Sequence, residues 1–289
     1  MPAAGFAKGA DETAVFCYNV QYTGHYSPMP WNSASESRFN WNYITKGDVY
    51  SSPAVADGIV YVGSGDFNVY ALNATNGTKV WNYTTKSHVY SPIVADGIVY
   101  VGSYDHNVYA LNATNGTKVW NYTTGGSVDR RPAVSNGIVY VGSGDFNVYA
   151  LNATNGTKVW SYYVGNPVTS PAVGDGIVCV GSDNYNVYAL NATNGTKAWS
   201  YATKDAVRSA PAVADGIIYV GSYDSNVYAL NAQTGVKMWN YITGSIVSSS
   251  PIVANGIVYV GSGRGTIYAL NATAGTKVWS YDTGGSVSD

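Results

Sequence analysis

Few side chains in this chain could carry chemistry, and an adjacent pair comes first. Arg130 and Arg131 stand where sister repeats carry Ser-Ser. Two neighbouring guanidiniums can hold a carboxylate or a phosphate through forked hydrogen bonds. At related repeat positions fall Lys46, Asp48, Tyr50, His88, Tyr90, His106, Asp129, Arg208 and Arg264. Together these residues form a candidate binding face; drift at exposed, unconstrained positions is the competing explanation. Asp66, Asp105, Asp145 and Asp224 recur at one position and suggest a metal ring, but Asn184 and Arg264 interrupt it. Each Asp lies in Gly-Ser-x-Asp-x-Asn, where a carboxylate caps the backbone of its own turn, and that reading is preferred. His25, His88 and His106 lack zinc-ligand spacing. Cys17 and Cys179 read as isolated thiols, Cys179 at a position that is otherwise Tyr. Glu12 and Glu36 are the only glutamates, which leaves little general acid–base supply. No Ser-His-Asp, phosphate-loop or zinc signature stands out, so no catalytic, cofactor-binding or metal residue is assigned.

The elements that position these residues come from a repeat. Residues 53–81, PAVADGIVYVGSGDFNVYALNATNGTKVW, recur with few changes at 92–120, 132–160, 171–199, 211–239 and 251–279. Such self-similarity marks a repeat architecture. Within one copy, residues 59–62 form a short β-branched and aromatic run, residues 68–72 a second, and residues 79–83 an alternating third. Residues 49–55 are extended, because Pro53 is excluded from a helix and biases Ser52 toward β. Asp57-Gly58 and Asn76-Gly77 are tight-turn formers with positive φ. Each copy is therefore four antiparallel strands, A to D. One such sheet cannot bury both faces, and radial stacking solves that, so the fold is an all-β propeller.

Dividing 289 residues by a repeat of about 40 gives seven units. The expected seven-bladed β-propeller spans residues 13–289 after a disordered lead-in at 1–12. Its repeats are 46–85, 86–124, 125–164, 165–203, 204–243 and 244–283. A closing blade combines 13–45 with 284–289, because Trp41-Asn42-Tyr43 matches Trp81-Asn82-Tyr83 and Gly284-Gly285-Ser286-Val287 matches Gly125-Gly126-Ser127-Val128. A chain cut mid-propeller and a six-bladed ring with an N-terminal flap are the rivals. All length changes between copies fall in the D–A connection, and the B–C turn varies next. In a propeller these share one face, at the channel mouth, which is where loops on a rigid scaffold tend to carry function.

Composition narrows the partners. The net charge is −2, with no basic stripe, so nucleic acid is not expected. No apolar run is long enough for a membrane span. Residues 1–10 lack a signal-peptide core. Asn-x-Thr sequons at Asn73, Asn76, Asn82 and their equivalents, with 27 Tyr and only 11% charged residues, suit an exported, glycosylated surface. Turn chemistry copied with the repeat explains the same asparagines.

The motif Ala71-Leu72-Asn73-Ala74-Thr75-Asn76-Gly77-Thr78-Lys79-Val80-Trp81 resembles the tryptophan-docking motif of quinoprotein-type, PQQ-like propeller repeats, and it recurs six times. The resemblance implies that Trp81, Trp120, Trp160, Trp199, Trp239 and Trp279 dock against neighbouring blades. The family's dehydrogenases use a vicinal disulfide, a calcium ion and a catalytic Asp. This chain has no adjacent cysteines, so neither PQQ nor calcium is expected. The expectation is a non-enzymatic, monomeric binding or structural scaffold of an extracellular or cell-surface protein, with a protein or glycan partner on the variable face. The alternatives are a degenerate PQQ-dependent oxidoreductase and a lectin-like carbohydrate binder.

Overall fold

The computed structural model describes residues 41–287. Six four-stranded antiparallel sheets follow one another along the chain, with no helix among the described residues. The first comprises β1 (Ala54–Ala56), β2 (Ile59–Gly63), β3 (Asn68–Asn73) and β4 (Lys79–Thr84), hydrogen-bonded in that order. The other five blades repeat it. The β1–β2 hairpin is a two-residue turn in which Asp57 has φ 49° and Gly58 φ 74°. Two left-handed residues in a row match the right-handed twist of the flanking strands.

Ladder pairing of the inner strand begins at Ala54, just after Pro53, which has no N–H to offer. One local expectation needs correction: Asn76-Gly77 is not a two-residue hairpin. Only Gly77 has positive φ, and β4 rejoins β3 after a bulge between Ala71 and Leu72. The loop is longer because asparagines cap it: Asn73 Oδ1 accepts from Thr75 N and Asn76 N, and Asn76 Oδ1 accepts from Thr78 N at 3.0 Å. These bonds account for the repeated Asn-Ala-Thr-Asn-Gly-Thr by local chemistry.

The core lies between blades. Tyr61, Val69 and Trp81 of blade 1 pack with Val99, Val101, Tyr109 and Leu111 of blade 2, and four more seams repeat the cluster. At each of the first three seams an indole and a phenol donate to one carbonyl. Trp81 Nε1 and Tyr61 OH reach Ala113 O at 2.8 and 3.1 Å. Trp120 with Tyr100 uses Ala153 O, and Trp160 with Tyr140 uses Ala192 O. At the fourth seam Cys179 replaces the Tyr, and Trp199 alone reaches Ala232 O. Trp239 and Tyr219 share Ala272 O at the fifth.

The blade on which Trp279 is expected to dock lies outside the described residues. Trp279 is 45% exposed, against 7–9% for Trp81, Trp120, Trp160 and Trp239, because no further blade follows it among the described residues. The proposed closing blade of 13–45 and 284–289, the lead-in, Cys17, His25 and both glutamates fall wholly or mostly outside those residues. The described part of its expected outer strand, 41–44, forms no strand; the strand it would pair with lies outside them. Inner strands of successive blades adjoin from blade 1 to blade 6 and wall a channel of about 1140 Å³.

Candidate functional site: the channel mouth

Backbone hydrogen bonds sort the loops into two faces. Each D–A connection is tied to the B–C turn of the blade it enters: Gly65 N donates to Asp48 O, Tyr104 N to His88 O, and Tyr223 N to Ala206 O. Each C–D loop is tied to the A–B turn, as Ala74 N donates to Gly58 O. The nearly constant loops share one face and the variable loops the other.

Six of the candidate residues line the channel on the variable side: Tyr50, Tyr90, Asp129, Arg130, Arg131 and Arg208. Asp48, His88 and Arg264 stand outside it. Asp48 Oδ2 accepts from Tyr50 OH at 2.9 Å. His88 lies between the rings of Phe67 and Tyr104, at 5.6 and 6.3 Å, and Tyr104 in turn lies 5.6 Å from Tyr90. An aromatic run thus leads from the rim of blade 1 down to the channel. Burial, then the neighbouring Tyr104 and Asp129, hold the Tyr90 hydroxyl above its ordinary pKa, so it stays a neutral donor.

Local substitution explains why Arg130 and Tyr90 reach the channel. In four blades a hydroxyl two residues before the Pro accepts from the last N–H of the second strand. Ser51, Thr169, Ser209 and Ser249 do this for Gly63, Gly181, Gly221 and Gly261 at 2.7–3.1 Å. Blades 2 and 3 carry Tyr90 and Arg130 there instead, so these side chains are released toward the opening. Arg130 Nε donates to Val168 O of the next blade at 3.1 Å, and Asp129 lies 3.7 Å away, an exposed pair worth little by itself. The Arg131 backbone keeps the ring pattern, donating to Ser170 Oγ as Ser52 N donates to Ser91 Oγ.

Arg208 is held more firmly. Its Nε and Nη2 donate to Asp183 at 2.9 and 3.2 Å, and its guanidinium lies 5.1 Å from the centre of the Tyr223 ring. The hydrogen bonds and charge of Asp183 raise its already high pKa. Sequence reasoning missed Asp183, Tyr223, Tyr104 and Phe67. All four fall in the variable B–C turn, so the signal was present there.

The recurring aspartates turn inward to the backbone. Asp66 Oδ1 accepts from Asn68 N at 3.1 Å, and Oδ2 accepts from Tyr70 OH and Lys46 N at 2.7 and 2.9 Å. Asp105, Asp145 and Asp224 do the same. Burial alone would raise these carboxyls, but the hydrogen bonds outweigh it and hold them below the usual carboxylate range. Their oxygens are therefore spent on the D–A connection and the turn. Among the described residues no three His, Cys, Asp or Glu converge as metal ligands. Cys179, fully buried in blade 4, has its thiol pKa pushed well up by desolvation.

Comparison with known proteins agrees with this architecture. No curated protein matches the chain by sequence. The crystal structure of BamB from Moraxella catarrhalis superposes with a TM-score of 0.73 at 20% identity, covering 86% of this chain and 79% of that one. The crystal structure of the computationally designed Ika8 protein superposes at 0.67 and 17% identity, covering 84% and 90%. The family model described as outer membrane protein assembly factor BamB matches residues 31–168 and 164–286. With nearly the whole chain matched by PQQ-like repeats of that kind, the protein belongs to the BamB family of β-propellers.

Proposed function

We propose that this protein is a non-enzymatic binding scaffold of the cell envelope that takes a protein partner at the variable mouth of its channel. One observation carries the reading. In a chain of near-identical copies, the charged and aromatic departures Tyr50, Tyr90, Asp129, Arg130, Arg131 and Arg208 meet on one rim. The family's description as an outer membrane protein assembly factor supports a protein as partner. Rigid aromatic rings supply contact area at low entropic cost, and arginine adds directional hydrogen bonds, the combination typical of binding hot spots. The blades behind the rim are fixed by their seams, so little ordering is needed on binding.

A peptide-display library tests this. Sequences enriched on the protein should lose binding to Arg130→Ala/Arg131→Ala and to Tyr90→Ala. They should keep binding to Thr154→Ala, an exposed position in a loop of the opposite face and outside the channel lining. Equal retention by all three variants would refute the mouth as the site. A lectin-like reading is favoured by the exposed rings of Tyr50, Tyr104 and Tyr185, and a glycan array distinguishes it. The channel wall offers no cysteine and no cluster of carboxylates among its lining residues, so it does not fit a bound quinone with calcium. Quinone-dependent alcohol oxidation by the purified protein would overturn that statement.

A further inference from the structure

A second cavity, of about 450 Å³, opens away from the channel between the outer edges of blades 1 and 2. Blade 1 contributes Tyr83, Thr84 and Lys86 to its wall, facing Asn107, Lys118 and Asn121 of blade 2. A run of hydrogen bonds holds the blade 2 side in place. Lys118 Nζ donates to Asn121 Oδ1 at 3.0 Å, and Asn121 Nδ2 donates to Asn107 Oδ1 at 3.0 Å. Thr123 Oγ1 donates to that same Asn107 oxygen at 2.7 Å, and Asn107 Nδ2 donates to Asp105 Oδ1 at 3.0 Å. The second carboxylate oxygen of Asp105 accepts from Tyr109 OH and Lys86 N. The amide and carboxylate acceptors are thus taken up inside the wall. What remains is donors: a lysine ammonium has three N–H groups, this run uses one from Lys118, and the Lys86 side chain is exposed. Two ammonium groups against one carboxylate leave the cleft net positive.

Comparison between copies sets this cleft apart from its sisters. At the seam of blades 2 and 3, Gly125, Ser161 and Tyr163 stand in place of Lys86, Asn121 and Thr123. The seam of blades 4 and 5 keeps Lys204, Asn226, Lys237 and Asn240, and Lys237 Nζ and Asn240 Nδ2 repeat the same bonds at 3.1 and 2.8 Å. There, however, Ala202 and Ile242 replace the two threonines. The entrance to blade 1 keeps the set except for Ile44 in place of Thr84. Among the described residues, both lysines, both threonines and both asparagines occur together only between blades 1 and 2.

We propose that the cleft between blades 1 and 2 is a second binding site, separate from the channel mouth, and that it takes an acidic saccharide through a sugar carboxylate. The carboxylate answers the ammonium groups of Lys86 and Lys118 with charge-assisted hydrogen bonds. The ring hydroxyls answer Thr84 and Thr123, and the half-buried Tyr83 ring, held 5.6 Å from Tyr109, supplies an apolar surface with a polar tip. A neutral sugar leaves the two ammonium groups unanswered, and a bare anion leaves the threonines and the ring unused. The hydrogen-bonded run fixes Lys118 before any ligand arrives, which lowers the ordering cost of binding.

Calorimetric titration of the full chain with trigalacturonate, and with maltotriose as the uncharged counterpart, tests the site. Trigalacturonate should bind, maltotriose should bind at least about tenfold more weakly, and added salt should weaken the acidic ligand. Lys86→Ala/Lys118→Ala should cost the acidic ligand about tenfold or more in affinity, whereas Arg130→Ala at the mouth should leave it unchanged. Ala202→Thr/Ile242→Thr completes the set between blades 4 and 5 and should add a second equivalent of bound ligand. The proposal fails if trigalacturonate gives no binding or binds no better than maltotriose. It also fails if the double lysine variant binds as the parent does, or if Arg130→Ala abolishes binding, which would place the acid at the channel mouth.

Discussion

The seam between blades 3 and 4 and the seam between blades 4 and 5 differ in the partner of their docked indole. At the first, Tyr140 OH and Trp160 Nε1 converge on Ala192 O at 3.2 and 2.9 Å. At the second, Cys179 is fully buried where the Tyr would be, and Trp199 holds Ala232 O alone at 2.8 Å. The indole's bond length is essentially the same in both. The tryptophan therefore sets the seam and the tyrosine reinforces it. The same asymmetry separates seam from mouth: a seam loses one phenol in five, whereas at the mouth few positions match between blades.

Removing the indole should break the comparison most severely. Trp160→Ala opens a cavity between blades and should cost ~3–5 kcal/mol in urea unfolding. Trp199→Ala should cost as much, since no phenol remains to hold the carbonyl; a loss under about 1 kcal/mol at either site would remove the indole from its role. Next comes the glycine beneath it. Gly156 and Gly137 share φ 72°, yet an added Cβ meets the Trp120 ring at 2.6 Å in the first and nothing within 4 Å in the second. Gly137→Ala should cost ~1–2 kcal/mol from backbone strain alone. Gly156→Ala should cost about 1–3 kcal/mol more from overpacking, and equal losses would show that the close approach does not matter.

Restoring the absent phenol sharpens the contrast. Cys179→Tyr should supply the second donor to Ala232 O and stabilise by about 1 kcal/mol, seen as a higher unfolding midpoint. A lower midpoint would mean that the seam has closed over the smaller residue.

The smallest effect is a pH slope. Asp66, Asp105, Asp145 and Asp224 titrate below the ordinary carboxylate value in the folded protein. Their hydrogen bonds thus contribute fully above that ordinary value, near 4. The contribution is lost as pH falls through the lowered folded values. Asp145→Asn should flatten the acid limb of stability, and Asn184→Asp should steepen it. Unchanged limbs in both would show that the caps are not coupled to folding.

Much of the fold was legible because its causes are local. Residues 59–62 and 68–72 are short β-branched and aromatic runs that end at turn formers, so the strands β2 and β3 could be placed to within a residue. Asp57-Gly58 specified its turn because two left-handed residues have few alternatives. Asn76-Gly77 misled, since the capping oxygen of Asn73 enlarges the loop and an isolated dipeptide does not reveal its cap. The variable mouth was found by comparing copies, yet its pairings were not. Arg208 meets Asp183 and Tyr223 across two blades, and the aromatic run from Phe67 to Tyr90 crosses a blade boundary.

The sequence by itself determined the unit: four short strands, their turns, and an indole at a fixed distance from a glycine. Hydrogen bonds between adjacent strands and the alternation of apolar residues are encoded within each 40-residue copy. Only the tertiary structure decided which side chains face the channel and which of them pair across a blade boundary. Those outcomes depend on the rotation of each blade against the next, and that rotation is set by packing between residues far apart in the chain, which no local pattern records.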